Sequence, residues 1–314
     1  DKVAGALAEE TGKDITANNI VMTCGAAGAL NVVLKTLLDP DDEVIILSPF
    51  FVEYKFYTGN HGGKPVVVPT DAETFQPDIE LLEKNITAKT KAIIINSPNN
   101  PTGVVYSEEK LKEMADLLDL MEKKFDTAIY VLSDEPYKKI VYDDTVVPNV
   151  FNVFKNGIIV NSFSKSLALA GERIGYIAVN SEADDFEALM NGLIFCNRTL
   201  GFVNAPALFQ KVIADSFDAS VDINEYKIRR DYLYDHLTEM GFSCIKPEGA
   251  FYLFPKSLIP DDIEFCQRAT KHNLLLVPGA GFGYKGHFRM SYCVDFNTIK
   301  NSMNAFENLV KEFK

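Results

Sequence analysis

Between residues 19 and about 180, short apolar runs alternate with stretches of helical periodicity. This alternation constrains the fold more than any other feature. The runs are 20–23, 43–47, 65–68, 92–96, 128–133, 157–163 and 174–179, each strand-like in length and composition. Among the intervening segments, 107–124 sets Leu111, Met114, Ala115, Leu117 and Leu118 on one side, with Ser107 as a fitting N-cap. The segment after 20–23 opens another helix, with Leu30, Val33, Leu34, Leu37 and Leu38 on its apolar face. Seven strands alternating with helices predict an α/β fold, with a mostly parallel seven-stranded sheet covered by helices on both faces.

From about residue 182 the pattern turns helical, over 182–195 and 205–216, and the long run 221–240 reads as a bridge into a second unit. The remainder predicts a small α+β unit. Strands are expected at 250–254, 274–277 and 288–293, and a helix at 262–272. A closing helix carries Ile299, Met303, Phe306, Val310 and Phe313 in register. A chain of 314 residues is long for a single hydrophobic core. The expected division is a large domain over 1–220 and a small C-terminal domain over 221–314.

The formal charge of −13 argues against nucleic acid or an anionic membrane surface as a partner. No apolar run approaches the ~20 residues of a bilayer span, and no signal-peptide pattern is visible. Cys24, Cys196, Cys244, Cys266 and Cys293 are scattered, without a C-x-x-C pair. That spacing suits reduced thiols in the cytoplasm, not a disulfide framework or a zinc site. The histidines, His61, His236, His272 and His287, lack metal-ligand spacing and read as structural or surface residues. No metal site is expected.

The chemistry gathers around Lys165. It follows the apolar run 157–161 in Ser162-Phe163-Ser164-Lys165-Ser166, and Arg173 comes eight residues later. Hydroxyls and an arginine are phosphate ligands, and a desolvated lysine amine forms a Schiff base with an aldehyde. Pyridoxal 5'-phosphate (PLP) needs both at once. A lone lysine is more often a solvated surface charge, so three other segments matter. Ser133-Asp134-Glu135-Pro136-Tyr137 ends a strand-like run. An aspartate there points into the crevice where open α/β sheets bind ligands, and it suits a protonated pyridine nitrogen. Tyr137 is placed to bond a phenolic oxygen. The same residues also make an ordinary turn. Asn96-Ser97-Pro98-Asn99-Asn100-Pro101-Thr102-Gly103 is a strand-end loop in which Asn100 is a second donor. Thr23-Cys24-Gly25-Ala26-Ala27-Gly28 brings small residues to a helix start, where amides approach a phosphate. Taken singly, the first is better read as a plain loop, and the second is equally a plain connection.

Together these segments resemble the fold-type I PLP enzymes, specifically the class I aminotransferases of the aspartate aminotransferase family. Asn-Pro-Thr-Gly, Asp-Glu-Pro-Tyr and Ser-Phe-Ser-Lys stand in the family's order, with the later arginine at the family's spacing. The resemblance runs on through Pro247-Glu248-Gly249-Ala250-Phe251-Tyr252 to Phe288-Arg289-Met290-Ser291. It implies that Lys165 holds the cofactor and shuttles the proton, and that Asp134 pairs with the pyridine nitrogen. Tyr137 and Asn100 would hold the phenolic oxygen, and Phe51 would stack on the ring. Ser162, Ser164, Arg173 and the amides of Gly25, Ala26 and Ala27 would hold the phosphate. Arg289 would grip the substrate α-carboxylate, for which its planar fork is suited. Without the resemblance, a structural ion pair is the simpler role for Arg289.

The resemblance implies an amino acid and a 2-oxo acid as substrates, with aspartate and 2-oxoglutarate as the family's usual pair, and a homodimer. Some bacterial members carry a lysine in the phosphate loop for the distal carboxylate; here that stretch is Gly25-Ala26-Ala27-Gly28. An aromatic or aliphatic donor is therefore open. A PLP carbon–sulfur lyase of the same fold and a non-catalytic sensor domain are the alternatives. The chain opens inside a helical pattern at Asp1, as if an N-terminal arm and part of the small domain preceded it. Gly281-Phe282-Gly283-Tyr284-Lys285-Gly286 matches G-x-G-x-x-G, but it leads into a strand-like run and not a helix, so a dinucleotide site is not expected.

Overall fold

The computed structural model describes residues 1–313. Seven strands form the large sheet: β1 (Ile20–Thr23), β2 (Glu43–Ser48), β3 (Lys64–Pro69), β4 (Thr90–Asn96), β5 (Tyr130–Asp134), β6 (Gly157–Ser162) and β7 (Gly175–Val179). Their order is β1-β7-β6-β5-β4-β2-β3. Neighbours from β6 through β5, β4 and β2 to β3 run parallel, while β7 is antiparallel to both β6 and β1. The expected α/β architecture is therefore present.

Strand periodicity divides the sheet's side chains between two cores. Ile93, Ile95, Val131 and Ile159 face a layer that includes α1 (Lys2–Thr11) and α5 (Glu108–Phe125). Ile94, Leu132, Ile158 and Ile177 face α2 (Gly25–Leu37) and α6 (Phe186–Thr199). Ser107 caps α5 as expected, its hydroxyl accepting from the Lys110 amide. Leu193 on α6 is fully buried, and Leu193→Ala is expected to cost about 2–5 kcal/mol.

A third core lies towards the C-terminus. It packs α8 (Ile223–Glu239), α9 (Asp262–Thr270) and α10 (Phe296–Lys311) on a sheet ordered β8 (Tyr252–Leu253), β10 (Phe288–Ser291), β9 (Val277–Pro278). Tyr137, Ile140 and Tyr142, from the segment after β5, belong to this core. The end of β5 is thus tied to both bodies of packing.

Several boundaries differ from the sequence expectation. The outer strands of the small sheet are only two residues each, because β10 divides its four residues between them: Met290 and Ser291 pair with β8, Phe288 and Arg289 with β9. Helix α6 begins at Phe186 and not 182, since Asp185 is left-handed at φ 51°. Two helices without a clear apolar period, α3 (Glu53–Asn60) and α4 (Ile79–Asn85), fill the links into and out of β3.

Candidate active site

The carboxyl ends of β4, β5 and β6 open on a cavity of about 340 Å³, where parallel sheets bind ligands. Its wall brings together Lys165, Asp134, Tyr137, Asn100, Phe51, Ser162, Ser164, Arg173, Ala26, Ala27 and Arg289. Of the candidate residues, Gly25 alone stands outside the wall. It is buried beneath the arginine: a Cβ there would lie 2.8 Å from Arg173 Nη2, and its φ is +74°. Glycine at this position lets the guanidinium close over the start of α2.

The floor of the cavity is suited to an oxyanion. The α2 N-cap, Cys24, makes no side-chain capping bond, so no side chain competes for the first-turn amides. Arg173 is held by a 2.8 Å bond from Nη1 to the Ala170 carbonyl. Ser162 pairs with Gly175 across β6 and β7. A Cβ on Gly175 would come within 2.9 Å of the Gly25 Cα. That close approach draws the ends of β1, β7 and β6 into one cradle of hydroxyls, guanidinium and amides.

Asp134 ends β5 and is buried. Its Oδ2 accepts from Tyr54 Oη at 2.6 Å, while its Oδ1 is buried with no partner. Burial pushes the Asp134 carboxyl up to about 7; Glu135 adds to the effect and the Tyr54 hydrogen bond opposes it. A buried carboxylate oxygen without a donor is costly, and a cationic N–H placed against it would remove that cost.

Lys165 stands three residues beyond the end of β6. Burial holds its ammonium below the ordinary lysine value; Arg173 and Arg289 push the same way, and Cys293 opposes them. A lysine so placed is a better nucleophile near neutrality. Its Nζ lies 5.4 Å from the Phe251 ring centre.

Arg289, on β10, reaches the cavity from the small sheet. Its Nη1 donates to Asn100 Oδ1 at 3.0 Å, and its buried Nε has no partner. The guanidinium carbon lies 4.5 Å from the Tyr252 ring centre and 4.7 Å from that of Phe282. No carboxylate pairs with Arg289 among the described residues. The structural ion pair is therefore not what this arginine makes.

The cavity also includes residues that carried no expectation. Tyr54 and Tyr57 come from α3, whose sequence lacks an apolar stripe. Asn96 ties two strand ends together, donating to the Asp134 carbonyl at 2.8 Å and accepting from the Asn100 amide at 2.7 Å. Tyr252 meets the Tyr137 hydroxyl at 3.0 Å. Asn96 and Tyr252 both lie in segments that the sequence singled out, so position alone flagged them; no local signal gave their partners. The histidines lie outside the cavity wall, the five cysteines are unpaired, and no metal-ligating cluster occurs among the described residues.

The family model described as aminotransferase class I and II matches residues 2–306. A crystal structure of an amino transferase from Eubacterium rectale superposes with a TM-score of 0.97 at 45% identity, covering 99% of this chain and 79% of that one. The aspartate aminotransferase structure from Thermotoga maritima gives a TM-score of 0.87 at 34% identity, over 98% of this chain and 80% of its own. A probable aspartate aminotransferase from Methanocaldococcus jannaschii is 35% identical, over 98% of this chain and 82% of the relative.

Proposed function

The chain belongs to the class I and II aminotransferases, a family of PLP enzymes that move an amino group between an amino acid and a 2-oxo acid, and from that premise we propose that its cavity holds PLP on Lys165 and takes the substrate through Arg289. The observation that carries the proposal is the unpartnered, buried Oδ1 of Asp134. It suits the protonated ring nitrogen of a pyridine. Bound there, the cofactor supplies an electron sink for negative charge at the substrate Cα.

The chain's own residues then have distinct tasks. The Lys165 amine holds the cofactor and carries the proton at Cα, which its depressed ammonium favours. Asp134 keeps the ring nitrogen protonated. Tyr137 and Asn100 bond the phenolic oxygen, and Phe51 covers the ring. Ser162, Ser164, Arg173 and the amides of Gly25, Ala26 and Ala27 hold the phosphate, with Gly25 also giving Arg173 its room. Arg289 offers its fork to the α-carboxylate. The division at about residue 220 is the functional one in this reading: residues 1–220 supply Lys165 and Asp134, and 221–314 supply Arg289.

Aspartate is the donor that several relatives' names carry, and 2-oxoglutarate is proposed as the acceptor. A homodimer is proposed with it. Exposed apolar side chains stand at Phe56 on α3, which borders the cavity, and at Ile194 and Phe195 on α6, with Val203 and Leu208 beyond, as interaction surfaces do. The unpaired cysteines support a cytoplasmic location; no helix among the described residues is long and apolar enough to cross a membrane.

The deciding experiment incubates the holoenzyme with a panel of amino acids and 2-oxo acids and identifies the products. Amino-group exchange is expected, fastest with aspartate. Release of ammonia and a thiol without an acceptor would overturn the reading in favour of the lyase. Sedimentation of a fully active monomer would overturn the dimer.

A further inference from the structure

The loop 279–286 carries the glycine pattern that failed as a nucleotide fingerprint, and it is bonded at both ends of its span. Its first turn is a short 3-10 helix, Gly279–Phe282. On one side, the buried Asp262 at the start of α9 accepts from two loop amides, Ala280 at 2.7 Å through Oδ2 and Gly286 at 3.1 Å through Oδ1. On the other side, the loop is bolted to the end of β2. Ser48 Oγ donates to the Gly283 carbonyl at 2.7 Å, and the Phe50 amide donates to the Phe282 carbonyl at 3.1 Å. Gly283 is left-handed, and a Cβ on it would meet the Phe50 ring at 2.5 Å. The loop therefore spans the two bodies of packing, and its one large buried side chain, Phe282, faces the Arg289 guanidinium at 4.7 Å.

A guanidinium attracted to ring faces is restrained in its plane, and that restraint is what a bidentate carboxylate needs. Tyr252 supplies one such ring and Phe282 the other. We propose that Phe282 is a positioning residue for Arg289, aiming its fork at the substrate carboxylate, and that Asp262 holds Phe282 in place through the two loop amides. The inference rests on the reading that Arg289 binds that carboxylate. Phe282 is not part of the cavity wall; it acts through the arginine.

The test uses two ligands that differ only by the carboxylate, 2-aminoisobutyrate and isopropylamine, titrated into the holoenzyme and followed by the cofactor's absorbance. Phe282→Leu is expected to raise the Kd for 2-aminoisobutyrate about three- to tenfold, the range of one cation–π contact, and to leave isopropylamine within about twofold. Phe282→Tyr, which keeps the ring face, stays nearer to wild type. Asp262→Asn shows the same carboxylate-selective loss at smaller amplitude. If the leucine variant does not fold, Phe282→Met makes the same comparison. An unchanged Kd in the leucine or methionine variant overturns the proposal. So do equal losses for both ligands, or equal losses in the tyrosine and leucine variants, since either assigns the effect to packing. Asp262→Asn without effect overturns the part given to Asp262. Arg289→Lys is run beside them: if it too leaves the ratio of the two ligands unchanged, the reading of Arg289 itself fails, and that outcome is distinct from the failure of Phe282.

Discussion

Tyr54 donates its phenolic hydrogen to Asp134 Oδ2 at 2.6 Å, across 80 positions of sequence and from a helix to a strand end. The bond stabilises the charged carboxylate and counters part of the burial that raises it. Tyr54→Phe is expected to retain PLP and to lose about tenfold in kcat, as one charge-assisted hydrogen bond is worth. The acidic limb of the kcat profile moves to higher pH, because Asp134 then protonates more readily. A pH–rate profile checks this; an unmoved limb would reduce Tyr54 to packing.

The raised Asp134 carboxyl makes the apoprotein's stability depend on pH. Folded, the group holds its proton up to about 7, while the unfolded chain releases it near ~4. Between those values the native state binds the extra proton, so stability falls as pH rises through the window, by up to ~4 kcal/mol. Asp134→Asn removes this contribution. Urea unfolding of both apoproteins at pH 5 and pH 8 should show a smaller drop in the variant. Identical drops would contradict the raised value. In the holoenzyme the same variant keeps PLP but loses turnover by several kcal/mol, of order ~3.

Lys165→Ala is expected to abolish the covalent link to PLP while the phosphate cradle still binds the cofactor reversibly. Borohydride treatment of the parent enzyme followed by peptide mapping should label the peptide containing Lys165. Labelling at any other lysine sinks the assignment.

Arg289→Lys replaces a planar fork with a point charge. Loss of one charge-assisted bond of about 1.5–3 kcal/mol predicts a ten- to hundredfold fall in kcat/KM. It should appear for the amino acid and the 2-oxo acid alike. Initial-rate kinetics with both substrates varied will show it, and a loss confined to one partner would be inconsistent with a shared carboxylate site.

The large sheet was legible because each strand is buried on both faces and so announces itself as an apolar run; Ile93, Ile94 and Ile95 feed opposite cores from one such run. Residues bound to strand ends were legible for a related reason. Asp134, Lys165 and Asn100 sit where a run stops, and the end of a parallel strand is where a ligand lies. What stayed hidden depends on partners far away in sequence. Tyr54 lies on a helix stabilised by tertiary packing and not by periodicity. The Phe282–Arg289 contact joins a loop and a strand whose approach is set by Asp262 and Ser48. No window of sequence holds that information. The two-residue edge strands failed for the same reason, since each pairs with only two residues of β10.

The reversed strand β7 has an evolutionary and engineering consequence. Because β6 and β7 are antiparallel neighbours, residues 163–174 join them without a crossover helix, and both Lys165 and Arg173 hang on that single connection. Elsewhere, as at α5 between β4 and β5, a helix on the sheet's outer layer takes up differences in length. A turn added there leaves the cavity as it was. A single residue inserted between Lys165 and Arg173 shifts one of these cavity-wall residues against the other. Drift in chain length is therefore expected to collect in the helical crossovers and to be purged from this span, which makes it the wrong place for a tag, a permuted terminus or a grafted loop.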